Sequence, residues 1–313
     1  MRRRLTELFP KVLHDRITFV FFLLGGPFCV WYEFYLVMPT YTYNPDLLWV
    51  HKLVVSVIFA GVYGNLFFMI SSDTSTKPER QLALNAATED DPSTDKKMWN
   101  YCEKCERLCP PRSHHCKICN VCILRRDHHC WFSGYCVGHT NQRHYIMTIA
   151  YCWLAGLYAH IYQIEFIRQT LGFSFRTLIS VIAPHMVWLL GYYTNWEFFI
   201  AALFSLAVGF FLLLTWLLQI QLAQVMTGQT KHERTKGMPG DDKGFIRNIQ
   251  EVLGTRWYLV WVCPFALSPL PGDGIHYGKA SLKGEINNFV KTNTYFICTT
   301  FCCKYHINKI FEQ

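Results

Sequence analysis

Charged side chains are scarce in this chain. Asp, Glu, Lys and Arg together make up 17% of its 313 residues, whereas hydrophobic residues make up 51% and aromatic residues 16%. The mean hydropathy is above zero. Because a soluble globular domain is ordinarily about one quarter charged, this composition argues against such a domain and is typical of a membrane protein.

Charge is nearly absent from four long segments. Each is close to the roughly 20 residues that cross a hydrocarbon core of about 30 Å as a helix. The first lacks a small-residue cleavage site and is too long for a signal peptide, so we expect it to be retained. A shorter apolar patch, 178–190, is interrupted by Pro184 and is expected to be interfacial or lumenal. The four predicted spans are 17–38, 47–70, 145–167 and 198–220.

Lys and Arg are missing from residues 39–46, and only two occur in residues 168–197. By contrast, five occur in residues 1–16, eleven in residues 71–144 and eleven after residue 220. The positive-inside rule therefore predicts that both termini and the central loop face the cytosol. Four spans are consistent with this topology, because an even number of crossings places both termini on the same side of the membrane. The predicted fold class is an all-α polytopic membrane protein.

Hydrophobic periodicity is missing from residues 71–98, which we predict to be a cytosolic linker. The next segment, 99–144, has few aliphatic residues and is expected to need bound metal to fold. No internal repeat is found. The other predicted boundaries are 1–70 for the N-terminus with the first two spans, 145–220 for the last two spans with a lumenal loop, and 221–313 for a cytosolic tail.

Cysteine and histidine are concentrated in residues 102–141, which hold eight cysteines and five histidines. Cytosolic thiols are kept reduced, so this pattern indicates metal binding or catalysis rather than disulfides. Tetrahedral zinc sites use closely spaced Cys and His pairs, because a tight turn brings both side chains to one ion. Eight candidate ligands suffice for two structural Zn²⁺ sites: Cys102, Cys105, His115, Cys116, Cys119, Cys122, His129 and Cys136.

Closing two sites with these ligands leaves Cys130 free. His128 lies two residues before it and Asp127 three residues before it. The imidazole can take the thiol proton while the carboxylate fixes the imidazole tautomer. This predicts Cys130 as nucleophile, His128 as base and Asp127 as the residue that orients it; alternatively, Asp127 is a surface cap and Cys130 a further ligand. Cys109 and His114 are expected to be non-ligands, since the spacing works without them.

These residues resemble the DHHC family of protein S-acyltransferases (palmitoyltransferases). The family pattern is C-x2-C-x9-HC-x2-C-x2-C-x4-DHHC-x5-C-x4-N, and residues 102–141 meet every spacing. The resemblance implies four transmembrane helices, with a cytosolic two-zinc domain between the second and third. It also implies an interleaved ligand assignment. One Zn²⁺ would be held by Cys102, Cys105, His115 and Cys122, and the other by Cys116, Cys119, His129 and Cys136.

The resemblance further implies a two-step, ping-pong reaction. In such enzymes the thiolate that corresponds to Cys130 attacks a long-chain acyl-CoA, such as palmitoyl-CoA, and the acyl-enzyme then acylates a cysteine of a membrane-associated protein. A palmitoyl chain prefers the bilayer by ~0.8 kcal/mol per methylene, so the thiol must lie at the membrane surface. We expect a cavity among the spans to hold the chain.

The expected partners follow from that reaction. Basic residues such as Arg125 and Arg126 are predicted to attract the CoA phosphates. The other partners are the lipid bilayer and the protein substrates, and nucleic acid is not expected. The predicted location is the membrane of the endoplasmic reticulum or Golgi.

The chain departs from the family pattern outside the Cys-rich segment. Residues 73–75 are Asp-Thr-Ser where Asp-Pro-Gly is frequent, and residues 230–233 are Thr-Lys-His-Glu where Thr-Thr-x-Glu is frequent. In the family the second Thr lies near the catalytic Asp. Lys231 therefore favours an alternative hypothesis, a catalytically impaired membrane adaptor that binds proteins through its zinc domain.

Two features of the tail complete the predictions. Residues 245–253 have the pattern of a short helix closed by Gly254, and residues 248–254 resemble a family segment that packs back on the catalytic region. Cys298, Cys302 and Cys303 are interpreted as free thiols near a membrane or, alternatively, as sites that are themselves acylated.

Overall fold

The computed structural model describes Arg3 and residues 8–40, 45–76, 99–263 and 265–275. All of these residues belong to one compact unit that ends at His276. The predictions for Cys298, Cys302 and Cys303 fall outside the described residues.

Helices make up most of the described chain. Three segments, Leu13–Thr40, Leu48–Ser71 and Asn195–Met226, are long and apolar enough to cross a membrane, as the sequence predicted for the first, second and fourth spans. In lipid such segments must be helical, because every backbone polar group needs a partner within the segment. The described helices are α1 (Leu13–Tyr32), α2 (Pro45–Ser71), α3 (Gln142–Leu171), α4 (Phe175–Ile182), α5 (Pro184–Leu189), α6 (Asn195–Met226), α7 (Lys231–Thr235) and α8 (Phe245–Leu253).

The predicted third span, 145–167, lies within α3. This helix has 30 residues, which is ample for a crossing. It is not among the three candidate spans, because polar side chains such as His160 and Gln163 lower its mean hydropathy. α3 packs against both α2 and α6. The helix is confirmed, and its passage through the membrane stays a prediction.

The connection between α3 and α6 forms the two short helices α4 and α5. The side chain of Ser174 caps α4 by accepting a hydrogen bond from the backbone N–H of Thr177 at 3.3 Å. Pro184 begins α5, where a missing N–H costs little. The apolar patch 178–190 is therefore split at its proline, and its side chains at Ile182 and Leu189 are exposed.

The Cys-rich segment forms three antiparallel hairpins, so the all-α class is wrong for this part of the chain. Tight turns bring Cys and His pairs together, and such turns suit hairpins better than helices. The paired strands are β1 (Asn100–Cys102) with β2 (Arg107–Cys109), β3 (His114–Cys116) with β4 (Val121–Ile123), and β5 (His128–Cys130) with β6 (Tyr135–Val137).

The three hairpins form a repeat, which corrects the expectation that the chain has none. Their first strands begin at residues 100, 114 and 128, an interval of 14. Each turn has a residue with a positive φ at the same place: Glu106 at 51°, Asn120 at 50° and Gly134 at 70°. The repeat is weak in the sequence, because the backbone conformation recurs in the three hairpins while most side chains at matching positions differ.

The start of the predicted linker packs onto the hairpins. Ser75 pairs with Ile123 as an isolated bridge, and the backbone N–H of Thr76 donates to the carbonyl of Cys122 at 2.8 Å. The backbone N–H of Leu124 donates to the carbonyl of Thr74 at 2.9 Å. α2 is thus attached directly to the second hairpin. Residues 77–98 fall outside the described part of the chain.

α8 confirms the predicted short helix, with the predicted bounds. Gly254 ends it at a φ of 89°, and a Cβ there would lie 2.2 Å from the hydroxyl oxygen of Ser268. The side chain of Asn248 donates to the carbonyl of Met226 in α6 at 2.9 Å. Arg125 donates to the carbonyl of Glu251 at 3.1 Å. The tail segment therefore packs back on α6 and the Cys-rich module, as the resemblance implied.

Candidate active site

Two groups of Cys and His side chains could each hold a metal ion. Within each group the ligand atoms all lie within 4.8 Å of one another. Nδ1 of His115 is 3.3 Å from Sγ of Cys105, and Nδ1 of His129 is 3.3 Å from Sγ of Cys119. Four ligands around one Zn²⁺ lie about 3.3 to 3.8 Å apart. The first metal-ligand group is Cys102, Cys105, His115 and Cys122, and the second is Cys116, Cys119, His129 and Cys136.

The hairpin repeat explains this interleaved arrangement. Each group takes two cysteines from the turn of one hairpin and a His and a Cys from the strands of the next hairpin. The third turn has Cys130 and Ser133 where the earlier turns have their cysteine pairs. No further hairpin follows, because the chain enters α3 at Gln142. Cys130 therefore occupies a position that holds a metal ligand in the first two hairpins, but no following hairpin supplies the His and Cys that would complete a third group. It lies outside both metal-ligand groups.

The third turn keeps polar neighbours that favour a thiolate. In the second turn the backbone N–H of Cys119 donates to Sγ of Cys116 at 3.4 Å. In the third turn Ser133 lowers the pKa of the Cys130 thiol, and its hydroxyl donates to the backbone carbonyls of Cys130 and Tyr135, each at 3.3 Å. Ser133 is fully buried. A turn that suits a metal-bound thiolate thus surrounds a sulfur that is free to react.

Asp127, His128 and Cys130 lie together and interact electrostatically. Oδ2 of Asp127 accepts a hydrogen bond from Nδ1 of His128 at 2.7 Å, and the imidazole of His128 interacts with the thiol of Cys130. Burial opposes the imidazolium charge, but these two partners outweigh it and raise the pKa of His128 to about 9. Burial also opposes a thiolate, yet His128 lowers the pKa of Cys130. The arrangement therefore favours a thiolate beside an imidazolium.

An apolar cavity of about 370 Å³ opens beside this chain of residues. Its volume is within the range of ligand pockets. The side chain of Tyr145 lies against the ring of His128, with the ring centres 4.7 Å apart and the planes nearly perpendicular. Side chains from α1, α2, α3 and α6 line the cavity, among them Phe22, Met69, Ile149 and Leu214, and Cys130 lies at its wall.

Comparison with known proteins places this site in a family. The family model described as DHHC palmitoyltransferase matches residues 95–238. The palmitoyltransferase ZDHHC22 of Homo sapiens is 31% identical over 226 residues, which cover 71% of this chain and 78% of that protein. The chain belongs to the DHHC palmitoyltransferase family.

Two further relatives are similar over a shorter part. The probable palmitoyltransferase ZDHHC24 of Danio rerio is 39% identical over 182 residues, which cover 57% of this chain and 61% of that protein. Its Homo sapiens counterpart is 38% identical over 189 residues, covering 57% of this chain and 64% of the relative. The chain thus spans less than two thirds of the length of these ZDHHC24 proteins.

In this DHHC-family chain, Lys231 meets Asp127 through its backbone. The N–H of Lys231 donates to Oδ1 of Asp127 at 2.5 Å. The neighbouring residues explain the geometry, because Thr230 and Glu233 form a capping box at the start of α7. Lysine supplies this N–H as well as threonine does, so the contact with Asp127 does not depend on which of the two residues stands at position 231.

Glu233 also forms a buried ion pair with Arg112. Nε of Arg112 is 2.5 Å from Oε1 of Glu233, and Nη2 is 2.7 Å from Oε2, so the pair is bidentate. Nη2 also donates to the carbonyl of Gly228 at 2.9 Å. Burial disfavours the carboxylate, but Arg112 outweighs this and lowers the pKa of Glu233. The pair connects α7 to the turn before the second hairpin.

Sequence reasoning missed several residues of the site. Nε2 of Gln221 donates to Oδ2 of Asp127 at 3.1 Å, and both side chains are buried. Gln221 comes one residue after the predicted fourth span, and a polar residue at that place in an apolar helix was the available signal. Arg112 had no comparable signal, because its partner Glu233 is far away in the sequence.

The basic and bystander residues fall in different places. Arg125 is buried and donates to α8, so the structure assigns it to packing rather than to a phosphate. Nη1 of Arg126 lies 2.8 Å from Nδ1 of His232, beside α7. Cys109 and His114 lie outside both metal-ligand groups.

Proposed function

We propose that this chain is a protein S-acyltransferase that uses Cys130 as its nucleophile. The donor would be an acyl-CoA such as palmitoyl-CoA, and the acceptor a cysteine of a membrane-associated protein. The observation that carries the proposal is the Cys130 sulfur, which lies outside both metal-ligand groups, borders an apolar cavity and has its pKa lowered by His128.

The first step would form an acyl-enzyme. The Cys130 thiolate attacks the carbonyl carbon of the acyl-CoA thioester, a C–S bond to Cys130 forms, and the C–S bond to CoA breaks. The departing CoA sulfur takes the proton of the His128 imidazolium. Asp127 holds Nδ1 of His128 so that Nε2 faces the reacting sulfurs.

The second step would return the enzyme to its first state. A cysteine thiol of the protein substrate gives its proton to His128 and attacks the acyl carbonyl. The C–S bond to Cys130 breaks, and the Cys130 thiolate is regenerated beside the imidazolium. The acyl chain stays in the apolar cavity throughout, because leaving it for water would cost ~0.8 kcal/mol per methylene.

The donor set of each metal-ligand group fits zinc. Three thiolates and one imidazole are a soft set that is typical of structural Zn²⁺ sites. One ion would be held by Cys102, Cys105, His115 and Cys122, and the other by Cys116, Cys119, His129 and Cys136. The bound ions supply rigidity to hairpins that have little apolar core of their own.

Membrane placement completes the proposal. We assign α3 as the fourth crossing helix alongside the three candidate spans, since its length is sufficient and it packs against two of them. Both termini and the hairpins would then face the cytosol of an endoplasmic reticulum or Golgi membrane. Arg126 is the basic residue that we assign to the CoA phosphates.

The alternative of an inactive adaptor rested on Lys231. Lys231 contacts Asp127 through its backbone N–H, so this contact does not depend on the lysine side chain. The arrangement of Asp127, His128 and Cys130 also favours an enzyme over an adaptor.

One experiment tests the proposal directly. The purified, zinc-loaded chain is incubated with an alkyne palmitoyl-CoA, and we expect a hydroxylamine-labile adduct. Cys130→Ser should abolish it, whereas Cys263→Ser, which changes an exposed free cysteine, should retain it. Acyl-enzyme that is freed of acyl-CoA should then pass the label to a peptide cysteine on a vesicle.

Two results would contradict the proposal. An adduct that persists in Cys130→Ser would show that another residue is the nucleophile. A folded, zinc-loaded wild-type chain that forms no adduct would favour the adaptor.

A further inference from the structure

The start of α1 reaches the second metal-ligand group. Oδ2 of Asp15 lies 3.1 Å from Nε2 of His129. The other ring nitrogen of His129, Nδ1, faces the cysteine sulfurs of its group. Asp15 is 1% exposed, so its carboxylate is withdrawn from solvent at this contact. The His129 ring therefore stands between the metal ligands and a buried carboxylate.

This arrangement has a defined effect on a metal-bound imidazole. A carboxylate that accepts the second N–H of a histidine ligand fixes the tautomer, sets the ring orientation and makes the ligand more basic. Losing such a partner typically costs 10- to 100-fold in metal affinity.

The first metal-ligand group offers an internal comparison. Its histidine, His115, occupies the same place in the preceding hairpin and also turns Nδ1 toward the sulfurs. Nε2 of His115 is buried, and it has no hydrogen-bond partner among the residues that the structure describes. The two groups have the same composition, but Nε2 of His129 has Asp15 as its partner, whereas Nε2 of His115 has none among the described residues.

The same turn of α1 also contacts Trp131, the residue that follows Cys130. The hydroxyl of Thr18 donates to the carbonyl of Trp131 at 2.7 Å. The ring of His14 meets the ring of Trp131 edge to face, with the centres 5.8 Å apart. Residues 129 and 131, which flank Cys130, are thus both attached to the start of the first membrane-spanning segment.

We propose that Asp15 is a positioning residue that orients His129 toward the second metal ion and so ties the Cys130 turn to α1. The inference rests on the proposed occupancy of that group by Zn²⁺, and it does not depend on acyl transfer.

The test uses Asp15→Asn, which keeps the size of the side chain and removes its charge. The full zinc-loaded chain in detergent is exposed to a chelator, alkylated in short pulses and mapped by peptide mass spectrometry. We expect the cysteines of the second group to be alkylated about tenfold faster than in the wild type. The cysteines of the first group should keep the wild-type rate. Glu165→Gln, which removes a carboxylate that is paired with the exposed Arg168, is the control and should leave both rates unchanged.

Several outcomes would overturn the inference. Equal acceleration at both groups would mean general destabilisation, and unchanged rates at both would mean that Asp15 has no role. Should Asp15→Asn fail to fold, Asp15→Glu carries the test. Because the longer side chain displaces the carboxylate, the cysteines of the second group should be alkylated faster than those of the first by about threefold or more. Equal rates of alkylation in the two groups would contradict the inference. A wild-type chain that folds without zinc would remove its basis, whatever the result for acyl transfer.

Discussion

The backbone N–H of Lys231 donates a hydrogen bond to Oδ1 of Asp127. Thr230, immediately before it, has an extended backbone, and Lys231 is the first residue of α7. Proline is well tolerated at such a position, and it lacks the N–H. The contact can therefore be removed with little other change.

We predict that Lys231→Pro slows acylation of Cys130 about tenfold or more, because a hydrogen bond to a buried carboxylate is lost. Lys231→Thr keeps the N–H and should stay much closer to the wild-type rate. The measurement is the initial rate of labelling by an alkyne acyl-CoA. An equal loss in both variants would mean that the lysine side chain, and not the N–H, supports Asp127.

The buried pair of Arg112 and Glu233 should be important for stability. Glu233→Gln preserves the capping box, because glutamine serves at that position as well. It removes the bidentate pair with Arg112, which keeps Asp241 at 3.7 Å as a carboxylate neighbour, so the cost should lie below the roughly 3 to 5 kcal/mol of a fully buried pair. We expect a clearly lower midpoint of thermal unfolding in detergent. Glu165→Gln, which breaks an exposed pair with Arg168, is the matched control and should leave the midpoint unchanged. Equal midpoints for the two variants would contradict the prediction.

The pH dependence of Cys130 alkylation should report the lowered pKa of its thiol. A lowered pKa means that a larger fraction of Cys130 is thiolate at neutral pH than for an ordinary thiol, so the rate with iodoacetamide should rise less steeply between pH 6 and 8. An ordinary peptide thiol, with a pKa near 8.5, should gain about tenfold per pH unit over the same range.

Ser133→Ala should raise the pKa of Cys130, because the Ser133 side chain helps to lower the pKa of that thiol. The rate of alkylation at pH 6 should therefore fall relative to the rate at pH 8. His128→Gln removes the cationic partner and should shift the profile further in the same direction. An unchanged profile in both variants would contradict the roles assigned to Ser133 and His128.

The cavity should determine how well long acyl chains are used. Leu214 lines it and is buried, whereas Leu212 on the same helix is 62% exposed. Leu214→Trp fills part of the cavity with a larger side chain, and forcing extra atoms into a filled space typically costs about 1 to 3 kcal/mol. A long acyl chain, which needs this space, should therefore bind more weakly. We expect labelling by a sixteen-carbon acyl-CoA to fall about tenfold relative to an eight-carbon one. Leu212→Trp should leave that ratio unchanged, and an equal loss for both chain lengths in Leu214→Trp would contradict the role of the cavity.

Local spacing was enough to predict much of this site. The eight candidate metal ligands and the spare Cys130 follow from residues a few positions apart, because tight turns determine which neighbouring side chains can converge. The helix at 245–253 followed for a similar reason, since its pattern and its terminal Gly254 act within one short segment.

Contacts between distant segments were decided only by the tertiary structure. Asp15 meets His129, Gln221 meets Asp127, and these partners are about one hundred residues apart in the chain. The role of Lys231 depended on a backbone N–H, which every residue except proline carries and which no side-chain pattern can indicate. The sequence by itself therefore determined which atoms can bind metal and which thiol lies outside both groups. Packing of the helices against the hairpins decided which charges and donors surround those atoms, because that packing depends on the path of the whole chain.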